Sequence, residues 1–139
     1  MKTFKEKVAV ITGAGSGMGR YLAVLLAKDG ADVCICDVNQ ETLDETAEML
    51  RKYNVSVSSH LLDVSDKESI ESLPQKVIDH HGKIDLVFNN AGVTTGSHFK
   101  DMEEENWNWV MGINFDGVIN STRAFIPHMI DRPEAAIVN

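Results

Sequence analysis

Apolar positions in this chain fall into short unbroken runs that alternate with longer stretches of helical spacing. The first run, Val8 to Ile11, is too short for a helix and is bounded at once by glycines. It predicts a strand buried on both faces, the kind found inside parallel sheets. From Met18 to Lys28 the chain carries helix formers with a stripe of Leu22, Ala23, Leu25 and Leu26, and Gly30 stops it. Ala31 to Asp37 reads as a second strand, and Asn39 caps a helix whose stripe is Leu43, Ala47 and Leu50. Val55 to Val64 is a third strand. Ser65 with Glu68 has the spacing of a capping box for the next helix, striped by Ile70, Leu73 and Val77. Pro74 inside that helix predicts a kink or a boundary, and Gly82 ends it. Ile84 to Phe88 is a fourth strand. After the loop Val93 to Lys100, Asp101 and Glu104 mark a helical stretch running to about Ile130. Gly112 and Gly117 within it suggest two helices or one bent helix, and Pro127 should disturb its last turns. Ala135 to Val138 begins a fifth strand.

Strands and helices therefore alternate throughout, and right-handed crossovers place helices on both faces of a parallel sheet. The expected fold is α/β, a doubly wound, Rossmann-like parallel sheet with strand order 3-2-1-4-5, cut short at the fifth strand. No repeat, low-complexity tract or linker divides the chain, so residues 1–139 form one expected domain, incomplete at its C-terminus. In such sheets ligands bind beyond the carboxyl ends of the strands, where the order reverses. The glycine turn, Asp37, Asp63 and the segment Asn89 to Gly92 all follow strands. The polar and glycine-rich features are gathered on one rim.

Composition narrows the chemistry. A formal charge of −8 offers no basic face for nucleic acid and no polybasic patch for an anionic membrane. The longest apolar run is far below a bilayer span. The basic start MKTFKEK is followed by too short an apolar stretch for a signal sequence, so a cytoplasmic location is expected. The two cysteines, Cys34 and Cys36, share one face of a strand but have no companion ligands, and they read as buried free thiols. No metal site is expected. His80 and His81 read as solvated surface residues.

The first turn carries the strongest signal. Gly13, Gly15, Gly17 and Gly19 stand at alternate positions between strand and helix. Residues without a Cβ let a ligand approach the backbone, and the unpaired N–H groups at the helix start favour a phosphate. A tight structural turn is the plain alternative for these glycines alone. Asp37, ending the second strand twenty positions after Gly17, is where a dinucleotide fold places the acid that binds the adenosine ribose.

Taken together, these residues resemble the short-chain dehydrogenase/reductase family. Thr12 to Gly19 matches its TGxxxGxG turn, Asp63-Val64 its adenine-contacting pair, Asn89-Asn90-Ala91-Gly92 its NNAG segment, and Asn114 its active-site asparagine. The resemblance covers essentially the whole chain. It implies cofactor contacts from Gly13, Gly15, Ser16, Gly17, Met18, Gly19, Asp37, Asp63, Val64, Asn90, Ala91 and Gly92, and a place for Asn114 in a proton relay. Asp63 has another reading, as a carboxylate capping the helix from Asp66, and Asn114 another as an asparagine bonding backbone at a bend. Asp37 would repel a 2′-phosphate: like charges about 4 Å apart cost about 4 kcal/mol at an effective dielectric of about 20. Neither Val38, Asn39 nor Ser16 supplies a balancing cation. NAD is therefore expected over NADP, with a small alcohol or carbonyl compound as substrate.

The same resemblance implies a serine and a Tyr-x-x-x-Lys pair after the fifth strand. Tyr21 and Tyr53, the two tyrosines, lack a lysine four residues on, and the catalytic serine is also missing. The expectation is a cofactor-binding half, inactive alone, with an unprotected fifth strand. Exposed apolar surface around Phe125, or a homo-oligomer covering it, should follow. A non-catalytic NAD-binding remnant or an incomplete copy of a longer reductase is the alternative. A methyltransferase binding S-adenosylmethionine through Gly13-Ala14-Gly15-Ser16-Gly17 is a remote one. Thr12 and the NNAG segment speak against it.

Overall fold

The computed structural model describes residues 3–139. Five parallel strands form one sheet in the order β3-β2-β1-β4-β5, the order expected from the sequence. The strands are β1 (Val8–Thr12), β2 (Asp32–Asp37), β3 (Val57–Leu61), β4 (Leu86–Phe88) and β5 (Ala136–Val138). The helices are α1 (Gly17–Lys28), α2 (Gln40–Leu50), α3 (Lys67–His81), α4 (Glu104–Met111) and α5 (Gly117–Met129).

Side-chain alternation along the central strands divides the core into two layers. Val8, Val10, Cys34 and Cys36 pack with Ile70, Leu73, Val77 and Phe125 from α3 and α5. Ala9, Ile11, Val33 and Ile35 pack with Ala23, Leu26, Leu43 and Leu50 from α1 and α2. All five residues of β1 are buried, because helices cover both faces of the central strand. Cys34 and Cys36 are free and buried.

Several local expectations are corrected. The third strand is shorter than Val55 to Val64, because the chain leaves the sheet at Leu61 and turns toward the rim. Helix α3 runs through the buried Pro74 without a boundary. The ring is buried, and that burial offsets the lost backbone hydrogen bond. The capping box is absent: α3 is capped at Asp66, and Ser65 donates its N–H and hydroxyl to Asp63 Oδ1 at 2.8 and 2.7 Å. From α4 to α5 the helical stretch is continuous, joined by a π turn over Gly112–Asp116. Gly117 is required there by packing rather than by a break. A Cβ at that position would lie 2.8 Å from Val64 Cγ2.

His80 and His81 tie α3 to the edge strand region instead of simply facing water. His81 Nε2 lies 2.8 Å from Ser58 Oγ, and His80 Nε2 lies 3.2 Å from Ser56 Oγ. Burial, and then the charge of His80, lowers the His81 pKa from 6.5 to about 4. Protonation therefore favours the unfolded chain. Stability contributed by neutral His81 is full above pH 6.5 and lost as the pH falls toward 4. His81→Gln should flatten the dependence of melting temperature on pH across that window.

The expected exposed apolar surface is present on and beside the helix around Phe125, although the Phe125 ring itself is fully buried. Phe115, Ile119, Ile126 and Ile130 are exposed. Among the described residues no helix is long and apolar enough to cross a membrane.

Candidate dinucleotide site

At the carboxyl rim of β1, β2 and β4 the chain forms a cleft of about 360 Å³. Gly13, Ser16, Gly17 and Met18 border it from the first turn, Asp37 from β2, Asp63 and Val64 from the β3 exit, and Asn90, Ala91 and Gly92 from the β4 exit. Gly15 and Gly19 lie behind this surface, and Asn114 is not in its lining. Cys36, Val38, Leu62, Val93 and Ile113 complete the lining; most of them are next in sequence to the expected residues.

The turn is built from residues that a side chain would disrupt. A Cβ on Gly13 would lie 2.8 Å from Ala91 Cα, and one on Gly19 2.2 Å from the Gly13 carbonyl oxygen. Gly13 and Gly17 also have φ of +65° and +53°, the left-handed region that glycine enters without steric cost. At Gly17 nothing lies within 4 Å of the missing Cβ. This glycine opens directly onto the cleft at the start of α1, where N–H groups lack helical partners. The turn therefore fits a diphosphate: packed tightly behind and bare in front.

Thr12 and Asn90 couple the turn to the β4 exit. Thr12 Oγ1 accepts the N–H groups of Asn90 and Ala91 at 3.1 and 3.0 Å. Asn90 Nδ2 donates back to the carbonyls of Thr12 and Gly13 at 3.0 and 3.2 Å. The Asn90 amide thus holds the turn rather than pointing free into the cleft. Asp37 lies across from it, with Oδ2 accepting the Gly15 N–H at 2.8 Å and Oδ1 the Asn39 N–H at 3.1 Å.

Two expected residues have duties visible in the structure. Asp63 lines the cleft, and its carboxylate accepts from Ser65 while Asp66 stands at the N-cap of α3, so Asp63 does not cap that helix. Asn114 sits in the π turn and grips the backbone of Val93. Its Oδ1 accepts the Val93 N–H and its Nδ2 donates to the Val93 carbonyl, each at 2.8 Å. Such turns insert one extra residue into a helix and recur at functional sites. Here it aims one side chain at the strand exit.

Arg20, Thr42 and Thr46 were not legible as site residues. Thr46 is fully buried, and its hydroxyl meets the Ala14 carbonyl at 3.0 Å. A threonine in a helix stripe carries no signal of this; only the packing of α2 under the turn does. Among the described residues no cluster of side chains is arranged to hold a metal ion.

Comparison with known proteins agrees with this geometry. The model of the short chain dehydrogenase family matches residues 7–139. A short chain dehydrogenase/reductase from Burkholderia phymatum, solved in complex with NAD, superposes with a TM-score of 0.95 at 39% identity, over 100% of this chain and 50% of that one. An NAD+-bound xylitol dehydrogenase gives 0.94 at 32% identity, over 99% and 54%. The 3-oxoacyl-[acyl-carrier-protein] reductase FabG of Thermotoga maritima is 37% identical over 96% of this chain and 54% of its own length. The chain thus spans about half the length of the relatives it matches. With its whole sheet, glycine turn and rim accounted for by this likeness, the chain belongs to the short chain dehydrogenase family.

Proposed function

We propose that the cleft binds a nicotinamide adenine dinucleotide, NAD in preference to NADP, and that these residues are the cofactor-binding part of an oxidoreductase acting on a small alcohol or carbonyl substrate. The observation that carries the reading is the pairing of the bare Gly17 face with the Asp37 carboxylate across one cleft. The NAD held by the Burkholderia phymatum protein and the xylitol dehydrogenase supports it. A bound nicotinamide supplies or accepts a hydride. The residues of this chain bind and orient the carrier: the N–H groups at the start of α1 receive the diphosphate, and Asp37 accepts hydrogen bonds from the adenosine ribose. Asp63 and Val64 border the adenine, and Asn90 to Gly92 the middle of the molecule. Asn114 holds Val93 in place beside them. The 139 residues contain no Tyr-x-x-x-Lys, so proton transfer to substrate is not assigned to them.

Binding is measurable by NADH fluorescence or calorimetry, with NADPH and S-adenosylmethionine as competitors. The unsubstituted chain is expected to take NADH at least about tenfold more tightly than NADPH. Asp37→Ser should weaken NADH by about 2 kcal/mol, ~30-fold, through the lost charge-assisted hydrogen bonds, and should erase the discrimination. A folded sample that takes up no NADH, or an Asp37→Ser variant that binds it unchanged, overturns the reading.

A further inference from the structure

Gly15 is held from both sides, through the two peptide groups that flank its Cα. Its N–H donates to Asp37 Oδ2 at 2.8 Å, and its carbonyl accepts from Arg20 Nη2. The guanidinium is itself braced on α2: Nε donates to Thr46 Oγ1 at 2.9 Å, and Nη2, whose two N–H groups are shared among three acceptors, also reaches the Thr42 carbonyl at 3.0 Å and Glu45 Oε2 at 2.7 Å. There is no slack in this arrangement, because a Cβ on Gly15 would lie 2.6 Å from Thr42 Oγ1 and 2.7 Å from Asp37 Cγ. A continuous hydrogen-bonded line therefore runs from Glu45 through Arg20 and Gly15 to the Asp37 carboxylate. Arg20 is partly buried and does not line the cleft.

We infer that Arg20 is a positioning residue for cofactor selectivity, acting through Gly15 to hold the Asp37 carboxylate where the adenosine ribose is recognised. The inference rests on the dinucleotide reading above. Its physical content is orientational. A carboxylate locked by Gly15 on one oxygen and Asn39 on the other presents its outward lone pairs to the ribose hydroxyls. It also cannot swing aside to accommodate a 2′-phosphate. Freed from Arg20, the Gly15 carbonyl keeps only the longer Thr46 hydroxyl contact at 3.4 Å, the glycine can shift about its backbone torsions, and Asp37 gains that freedom. The ribose contact then weakens while the repulsion of a 2′-phosphate relaxes. Arg20 is suited to this task because a planar fork can address Thr46, Thr42 and Gly15 at once, which a lysine ammonium cannot.

The test is a double-substitution cycle read by calorimetry with NADH and NADPH on the chain, Arg20→Met, Asp37→Ser and the pair combined. Arg20→Met is expected to raise the NADH Kd about tenfold, the size of one charge-assisted hydrogen bond's loss. The NADPH Kd should rise less, so the ratio between the two cofactors falls. In the Asp37→Ser background Arg20→Met should change the NADH Kd by less than about twofold, since the residue through which it acts is gone. Equal weakening of both cofactors with an unchanged ratio would overturn the inference, since damage to the shared diphosphate cradle has that signature. So would a full tenfold penalty persisting in the Asp37→Ser background. Should Arg20→Met fail to fold, Arg20→Lys enters the same cycle, keeping the charge and losing the fork, with the same deciding outcomes. An unsubstituted chain that binds no NADH overturns the dinucleotide reading itself, a result distinct from either of these.

Discussion

Gly19→Ala is expected to abolish detectable NADH binding while Gly112→Ala leaves it unchanged. Both glycines have right-handed helical backbone, Gly19 in the first turn of α1 and Gly112 where α4 passes into the π turn, and they differ sharply in what surrounds them. At Gly19 the added methyl would lie 2.2 Å from the Gly13 carbonyl oxygen and 2.6 Å from Asn90 Nδ2. The first is backbone of the turn itself, and the second is the amide that ties the turn to β4. Neither can retreat without moving the face toward which a diphosphate must come. Overpacking of this kind costs about 1–3 kcal/mol of stability, and displacement of the binding face adds to it in affinity. A loss of ~100-fold or more in NADH affinity is the expected reading. At Gly112 the nearest atom would be Ser65 Cβ at 3.7 Å, an ordinary contact, and the backbone is right-handed helical. Replacement there should alter stability by less than about 1 kcal/mol, in the stabilising direction if at all. Parallel calorimetry and thermal melts on the two variants check both halves. Equal NADH affinities for the two would mean that the glycine turn is not the binding face.

Asp85→Ala is expected to lower stability by about 3 kcal/mol, or ~10 °C in melting temperature, with the NADH Kd unchanged. Asp85 stands at the amino end of β4, on the rim opposite the cleft. Its buried carboxylate accepts the Val8 N–H at 2.9 Å through Oδ2, and Arg132 Nε and Nη2 at 3.0 and 2.6 Å through Oδ1. Lys83 Nζ lies 3.5 Å away. Removing the carboxylate leaves the first N–H of β1 and the guanidinium without their acceptor, the situation in which buried pairs are most costly to break. Burial by itself would push the Asp85 pKa up. The Val8 N–H, Arg132 and Lys83 overcome it and leave the value below 3.8. The contribution is thus full above the ordinary carboxylate range and lost as the pH falls below it. The variant should lose part of the acid limb of the stability profile. A melting temperature within about 2 °C of the unsubstituted chain, roughly a fifth of the expected shift, would show the ion pair to be dispensable.

Asp85 was not singled out in the sequence because a single acid at the start of an apolar run looks like any solvated carboxylate. Its importance comes from Arg132, more than forty positions away, which the β4–β5 pairing delivers to it. The same contrast separates the legible parts of the site from the rest. The glycines announce themselves because only close approach or a left-handed backbone calls for so many in eight residues. Asp37 is legible because strand length fixes its distance from the turn. Arg20 and Thr46 give no such sign, since a polar residue in a helix stripe is ordinary until another helix packs over it. The Ser65–Glu68 pattern misled for a related reason: Asp63 sits close enough to take the Ser65 hydroxyl first.

The order of short apolar runs and helical stripes was enough to determine a doubly wound parallel sheet, because burial on both faces and right-handed crossovers leave few other arrangements for such a pattern. Which carboxylates are braced, where a helix takes in an extra residue at Asn114, and that Pro74 is tolerated were decided only in three dimensions. Each depends on atoms brought together from distant parts of the chain, and local preference carries no record of a neighbour that has yet to arrive.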